Sequence, residues 1–239
     1  MSKFSNYNSV EYQVLKELFD KMPMIDTYIA NIVEEYIYAI IKEYYLVEGE
    51  QKGSLKCEYR TRFGIKDGEY KEWWFDTCQL RVQTTYLDGK IHGDYRCWYN
   101  NGQVYEHTTY VDGKRHGEYK YWFGNGQLKK QATYIDGKIQ GEYKEWYYVN
   151  YISNLLIENT FVDDVLHGDY KEWFDNGRLK VQTTYVKGKL HGDYKSWRYT
   201  GEIHVQTTYV KGKLHGYYNV WSYNGDLIQK SKYVYGVIV

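Results

Sequence analysis

The sequence predicts a mainly β protein: an elongated, single-layer antiparallel β-meander of tandem hairpins behind an N-terminal α-helical cap. Three observations predict it. A Gly followed at +2 by Tyr and at +5 by Trp recurs at Gly68, Gly93, Gly117, Gly141, Gly168, Gly192 and Gly216, at steps of 25, 24, 24, 27, 24 and 24 residues. Asn-Gly recurs at +8 and +9 in four copies, and Asp-Gly or Lys-Gly at +19 and +20 in four, with Asp88-Gly89 one residue later in the first copy. The chain also holds 31 Tyr and 8 Trp against a single Pro, and such aromatics fit a pleated, half-buried surface. A fixed period of this size marks a repeat architecture, in which each unit buries its apolar face only against its neighbours.

The helical cap is predicted over residues 1–48. In 25–46, Ile25, Ile29, Ile32, Val33, Tyr36, Ile37, Ile40, Ile41 and Tyr44 recur at three- and four-residue steps, the spacing of one helix face. Pro23 ends an earlier helix over 9–22, and Asp26 or Thr27 caps the second. The array then occupies 49–239: a degenerate capping repeat at 51–67, where Gly53, Leu55 and Gly64 keep the spacing of Gly177, Leu179 and Gly188, and seven repeats from residue 68.

Each repeat folds on paper into two strands. Asn-Gly is the signal for a two-residue type I′ turn, which needs positive φ twice. Pairing outward from it sets +6 opposite +11, +4 opposite +13 and +2 opposite +15. In the copy at Gly168 this puts Tyr170, Phe174, Leu179, Thr183 and Tyr185 on one face, and Asp169, Lys171, Trp173, Lys180, Gln182 and Thr184 on the other. The second turn sets Tyr185 opposite Leu190 and Thr184 opposite His191. The sum is a meander of about fourteen to sixteen strands, on the order of 70 Å long at about 4.8 Å per strand. It also predicts a two-residue stagger between successive repeats, a diagonal row of Trp, and Thr183-type residues beside each repeat Gly.

Five His (His92, His116, His167, His191, His215) precede a repeat Gly. Equivalents two strands apart stand about 9.6 Å from each other, whereas zinc holds its ligands at about 2.0–2.1 Å; the expected role is a hydrogen bond to the paired Thr, with no metal and no cofactor. Lys90, Lys114, Lys138, Lys189 and Lys213 line one border of the sheet beside Lys187 and Lys211. That border is either a solvated turn or a row that meets anionic lipid, where each basic residue is worth about 1 kcal/mol. For the Trp row, cation–π and Trp–Thr packing within the sheet accounts for the residues; acidic neighbours at +1 argue against nucleic acid. No Ser-His-Asp order, phosphate loop or catalytic carboxylate pair stands out from the repeats, so no enzyme is expected.

The run Tyr110-Val111-Asp112-Gly113-Lys114-Arg115-His116-Gly117-Glu118-Tyr119 resembles a MORN repeat, with its Tyr-x-x-Gly-Lys-x-x-Gly core. The Asn-Gly-Gln-Leu hairpin makes it similar to the MORN-variant subfamily, and the resemblance covers roughly residues 51–239. It implies an adaptor or scaffold of the kind found in bacteria and large DNA viruses, antitoxin-like proteins among them. It also implies a link, in some members, to membranes or phosphoinositides, self-association in others, and no catalytic motif. The copy at Gly141 departs from the pattern: three residues are added at its hairpin tip, and Asp164-Val165 stands where Gly-Lys is expected.

These departures supply the candidate partner-binding residues. Val149, Tyr151 and Ile152 lie at the altered tip, and Tyr235, Val237 and Ile238 lie in an apolar final strand whose edge is expected to pair with a second copy in a homodimer. Met22-Pro23-Met24-Ile25 resembles the start of an F-box, the alternative in which the repeats receive a ubiquitin-ligase substrate. Residues 1–50 carry four basic and nine acidic side chains within a chain of zero net charge. No signal core opens the chain, Asp26, Glu34, Glu35, Lys42 and Glu43 break its most apolar segment, and three Cys show no metal spacing. The expectation is a non-enzymatic interaction or scaffolding module in the cytoplasm (the host's, for a viral protein), with a protein partner; a peripheral adaptor on anionic membrane through the lysine border is the alternative.

Overall fold

A computed structural model describes residues 38–45, 53–149 and 152–239. They form two compact units: one runs to Val104 and takes in Tyr110–Lys114, and the other comprises Tyr105–Thr109 and Arg115–Val239. The first unit holds β1 (Tyr38–Tyr44), β2 (Leu55–Arg62), β3 (Ile65–Trp73), β4 (Leu80–Leu87) and β5 (Lys90–Trp98), and β6 (Val104–Val111) has residues in both. In the second come β7 (Lys114–Trp122, all but its first residue), β8 (Leu128–Ile135), β9 (Lys138–Val149), β10 (Ile152–Val162), β11 (Val165–Trp173) and β12 (Leu179–Val186). They are followed by β13 (Lys189–Leu190), β14 (Gly192–Trp197), β15 (Ile203–Val210), β16 (Lys213–Trp221), β17 (Leu227–Val234) and β18 (Val237–Ile238). Within each unit consecutive strands pair antiparallel.

The predicted helix over 25–46 is overturned where it can be seen. Residues 38–44 are β1, antiparallel to β2 with Ile41 opposite Tyr59 and Lys42 opposite Glu58. Ile40 and Ile41 fit a helical stripe, but β2 offers a full ladder of main-chain partners, and Lys42 reaches Glu58 at 3.2 Å. The rest of the expected cap, the F-box-like segment included, lies outside the described residues, among which there is no helix. From β2 onward the expected number of strands is met: β13 and β14 are two halves of one strand, interrupted at His191.

The type I′ turn expected at Asn-Gly is not there. At the Asn-Gly end, Gly177 N donates to the Phe174 carbonyl at 2.9 Å, and Phe174 N to the Arg178 carbonyl at 2.8 Å. Gly177 has φ 78° while Asn176 is absent from the positive-φ residues, so this is a three-residue loop with a single left-handed Gly. The Asn side chain decides it: its Oδ1 accepts from Arg178 N at 3.0 Å, a local bond that Asn makes in a right-handed turn. The type I′ turn is instead the second one, with Asp112 and Gly113 at φ 50° and 79° and Lys187 and Gly188 at 50° and 73°.

Within each hairpin the pairs at +2/+15 and +4/+13 stand as expected, with Tyr170 opposite Thr183 and Glu172 opposite Val181. Nearer the tip the longer loop shifts the register, so Trp173 faces Leu179. Leu179 therefore joins the Trp face, and Lys180 reaches Glu172 at 2.6 Å on the Tyr face, the reverse of the expected assignment.

Between repeats the expected stagger is absent. Tyr185 does face Leu190, but Gln182 faces Lys195, so β13–β14 accommodates two extra residues around His191 and Gly192. Gly192 takes φ 85° there, as at a glycine bulge. A Cβ on it would stand 3.0 Å from Thr184 Oγ1, so the close neighbour is the Thr184 type and not the Thr183 type. The bulge cancels the two residues of slip, and successive repeats come level.

The core is the Tyr face. Tyr at +2 meets the aromatic at +17 (+18 in the first copy) edge-on in repeat after repeat: Tyr70–Tyr86 at 5.7 Å, Tyr119–Tyr134 at 5.6 Å, Tyr170–Tyr185 at 5.6 Å and Tyr194–Tyr209 at 5.8 Å. Such edge-to-face pairs each add about 0.5–1.5 kcal/mol beyond area burial. Small residues fill the space between them: Thr84, Thr108, Ala132, Thr183 and Thr207 are buried.

Candidate functional site

With the Tyr face given over to its own packing, the Trp face is the one left for function. Cancelling the stagger turns it into straight rows. The alignment is set by residues of the Tyr face: in the second unit Glu145, Ile157, Glu172, Val181, Ser196, Val205 and Val220 are level across their strands. The Trp row lies one residue further toward the hairpin tips, with Trp146 opposite Leu155, Trp173 opposite Leu179, Trp197 opposite Ile203 and Trp221 opposite Leu227. The result is a stripe of alternating indole and aliphatic side chains, and all four Trp are half-buried.

Internal cation–π packing does not use these four rings. Among the described residues the cations sit over other aromatics: Lys66 over Tyr59, Tyr70 and Tyr86 at 4.6, 4.4 and 5.1 Å, and Arg115 over Tyr119 at 4.9 Å. Nor does a protein acceptor take the indole N–H of Trp146, Trp173, Trp197 or Trp221 among the described residues.

Beside the stripe runs a polar row: Lys144, Glu158, Lys171, Gln182, Lys195, Gln206 and Asn219 are paired in succession. Lys144 lies 3.2 Å from both Glu142 and Glu158, and Lys171 3.9 Å from Glu158. Those carboxylates hold the Lys144 ammonium above its ordinary pKa through their hydrogen bonds. Lys195 has no carboxylate at ion-pair distance among the described residues. The row was missed in the sequence because its pairing depends on the bulge; Glu158, standing where other copies have Gln, was the signal for it.

The Tyr face has its own electrostatics, also missed. Tyr70, Tyr143 and Tyr170 donate to Glu72, Glu145 and Glu172 at 3.2, 2.8 and 3.4 Å. Burial first, then the adjacent Glu172 charge, pushes the Tyr170 phenol up to about 12. Two shallow hollows, about 290 and 330 Å³, lie on the Trp face around Glu58 and Glu158; both are open and lined by charge, unlike an enclosed, mostly apolar ligand pocket.

The predicted residues fall in three places. Lys90, Lys114, Lys138, Lys189 and Lys213 each begin a strand just after a type I′ turn and are exposed. Their strand partners are aliphatic: Leu87, Ile135 and Val186, facing Lys90, Lys138 and Lys189, are 49, 48 and 41 % exposed. Tyr235 occupies a turn at φ 49° with its ring 4.9 Å from that of His215, and Val237 and Ile238 are exposed on β18. Val149 and Ile152 face each other across the end of the β9–β10 hairpin, so the insertion lengthens two strands; Tyr151 lies outside the described residues.

The His prediction divides. Thr184 Oγ1 donates to the His191 carbonyl at 2.6 Å, and Thr85 to that of His92 at 2.5 Å, so the paired Thr meets the His main chain. The rings turn to the following repeat: His116 Nδ1 is 3.6 Å from Asp136, and His167 Nδ1 accepts from Lys187 N at 3.4 Å. No group of three metal-ligating side chains is present among the described residues, nor is there among them any helix long and apolar enough to cross a membrane.

Comparison with known families gives one result. Residues 91–112, 115–136 and 166–187 match the MORN repeat variant, each stretch beginning two residues before a repeat Gly and ending in the next type I′ turn. No curated protein matches the chain. MORN repeats suggest a repeat-based binding or scaffold module.

Proposed function

We propose that this chain, which carries MORN-variant repeats, is a non-enzymatic binding module that holds a protein partner on its Trp face. The observation behind the reading is the straight Trp–aliphatic stripe with the lysine row beside it. The same side chains come level repeat after repeat, so a linear partner meets the same chemistry at each step. The opposite face spends its aromatics on edge-to-face pairs and buried Thr. Aromatic anchors in a polar setting are the usual source of binding energy at such surfaces. Cys57, Cys78 and Cys97 form no disulfide, which fits the reducing cytoplasm.

Affinity capture from the native cell tests this, comparing the wild-type chain with a Lys171→Glu/Lys195→Glu variant. Both positions are on the polar row, so the fold is kept while the charge beside the stripe is reversed. One partner recovered by the wild type and lost by the variant is the expected result; equal recovery refutes the reading.

A second reading is favoured by the aliphatic residues exposed beside the border lysines. Leu87 with Lys90, Ile135 with Lys138 and Val186 with Lys189 combine an apolar and a cationic group at single turns, the pairing that holds a protein at an anionic bilayer surface. Sedimentation with phosphatidylserine and with phosphatidylcholine vesicles separates the two readings: pelleting with the first alone supports the membrane.

A further inference from the structure

We infer that the Trp stripe from Trp146 to Trp221 is a docking site for a polyproline-II segment with an acidic residue at every third position; this rests on the binding-module reading above. Successive Trp are two strands apart, so the stripe repeats about every 9.4–9.8 Å. A polyproline-II helix turns once in three residues and about 9.3 Å. A segment lying across the strands therefore sets every third residue against an equivalent Trp without slipping out of phase. An extended β-strand, at about 3.3 Å per residue and alternating its faces, does not keep this phase.

The side chains meet the other needs of such a ligand. Leu179 and Ile203 stand in the same stripe as Trp173 and Trp197, giving apolar floors between aromatic walls for the proline rings, the kind of groove that takes this helix. A polyproline-II backbone leaves its carbonyls unbonded, and the indole N–H groups have no protein acceptor among the described residues. Lys171 and Lys195 precede Trp173 and Trp197 by two residues on the same face and so repeat at the same pitch. Among the described residues Lys195 has no carboxylate partner, and the nearest to Lys171 is 3.9 Å away. Acidic residues at every third position match both. Sheet twist of about 20–25° per strand turns a straight ligand off the stripe after about three Trp, which limits the segment to about nine residues.

The test uses the full chain labelled with ¹⁵N at its Trp indoles, titrated with acetyl-(Glu-Pro-Pro)₃-amide and with acetyl-(Glu-Gly-Ser)₃-amide of the same charge. The expected result is a saturable shift of the Trp173 and Trp197 indole signals with the proline peptide, and affinity lower by about tenfold or more in Trp197→Ala and in the surface variant Lys195→Glu. No shift, or equal shifts with both peptides, overturns the inference. If the partner captured by the wild-type chain is lost in Lys171→Glu/Lys195→Glu while the proline peptide shifts nothing, the ligand class is wrong and the binding module stands.

Discussion

Thr184 Oγ1 donates to the carbonyl of His191 at 2.6 Å, and this bond fixes the point at which one repeat hands over to the next. The same hydroxyl lies 3.0 Å from where a Cβ on Gly192 would stand. The bulge at Gly192 absorbs two residues and brings Gln182 level with Lys195 and then Gln206. Without it the Trp row would run diagonally and offer no constant surface.

Gly192→Ala is expected to cost about 2 kcal/mol, from a left-handed backbone with a side chain and a crowded hydroxyl together. Gly141→Ala has a similar φ of 82° but nothing within 4 Å of the added Cβ, so its cost is about half that. Urea midpoints of the two variants check the difference; equal losses would show that the Thr contact is immaterial.

Lys187 and Lys211 hold φ of 50° and 52° in type I′ turns, a conformation that Asn tolerates far better. Lys187→Asn and Lys211→Asn should each stabilise the chain by about 0.5–1 kcal/mol. A higher denaturation midpoint with an unchanged slope is the expected outcome.

Thr183 and Thr207 bury hydroxyls that have no hydrogen-bond partner among the described residues, and the equivalent position in another repeat is Ala132. Replacing either with Ala should change stability by less than about 1 kcal/mol, because the loss of a methyl is set against relief of an unpaired polar atom. A loss well above that in thermal or urea unfolding would mean the hydroxyl is bonded after all.

Tyr170 titrates at about 12 in the folded chain because burial and Glu172 disfavour the phenolate, against about 10 when unfolded. The unfolded state thus loses its proton first, so this contribution to stability is intact below about pH 10 and is lost as pH rises toward 12. Tyr70, Tyr119 and Tyr143 are raised in the same direction, each chiefly by burial. Phenolate absorbance should therefore grow in step with loss of sheet circular dichroism between about pH 10 and 12; tyrosine titration completed near pH 10 with the sheet intact would contradict this.

Much of this was legible in the sequence, and the limits have physical causes. The repeat register and the pairs Tyr170–Thr183 and Tyr185–Leu190 follow from periodicity and turn residues alone. The type of the Asn-Gly turn was misread because Asn-Gly serves both a two-residue turn and a three-residue loop, and the Asn176 side-chain bond to Arg178 chooses between them. The straight rows stayed hidden because a Gly in a strand signals a bulge without giving its size. Over residues 38–44, Ile40, Ile41 and Tyr44 satisfy a helical period as well as a strand, and only the partner β2 decides.

The most direct test of the central claim places a photo-reactive benzoylphenylalanine at Gln182, exposed on the polar row of the Trp face, or at Gln229, exposed on the opposite face, and irradiates the chain in its native cell extract. The account predicts one specific adduct from position 182 and none from 229; an adduct from 229 with none from 182 would contradict it.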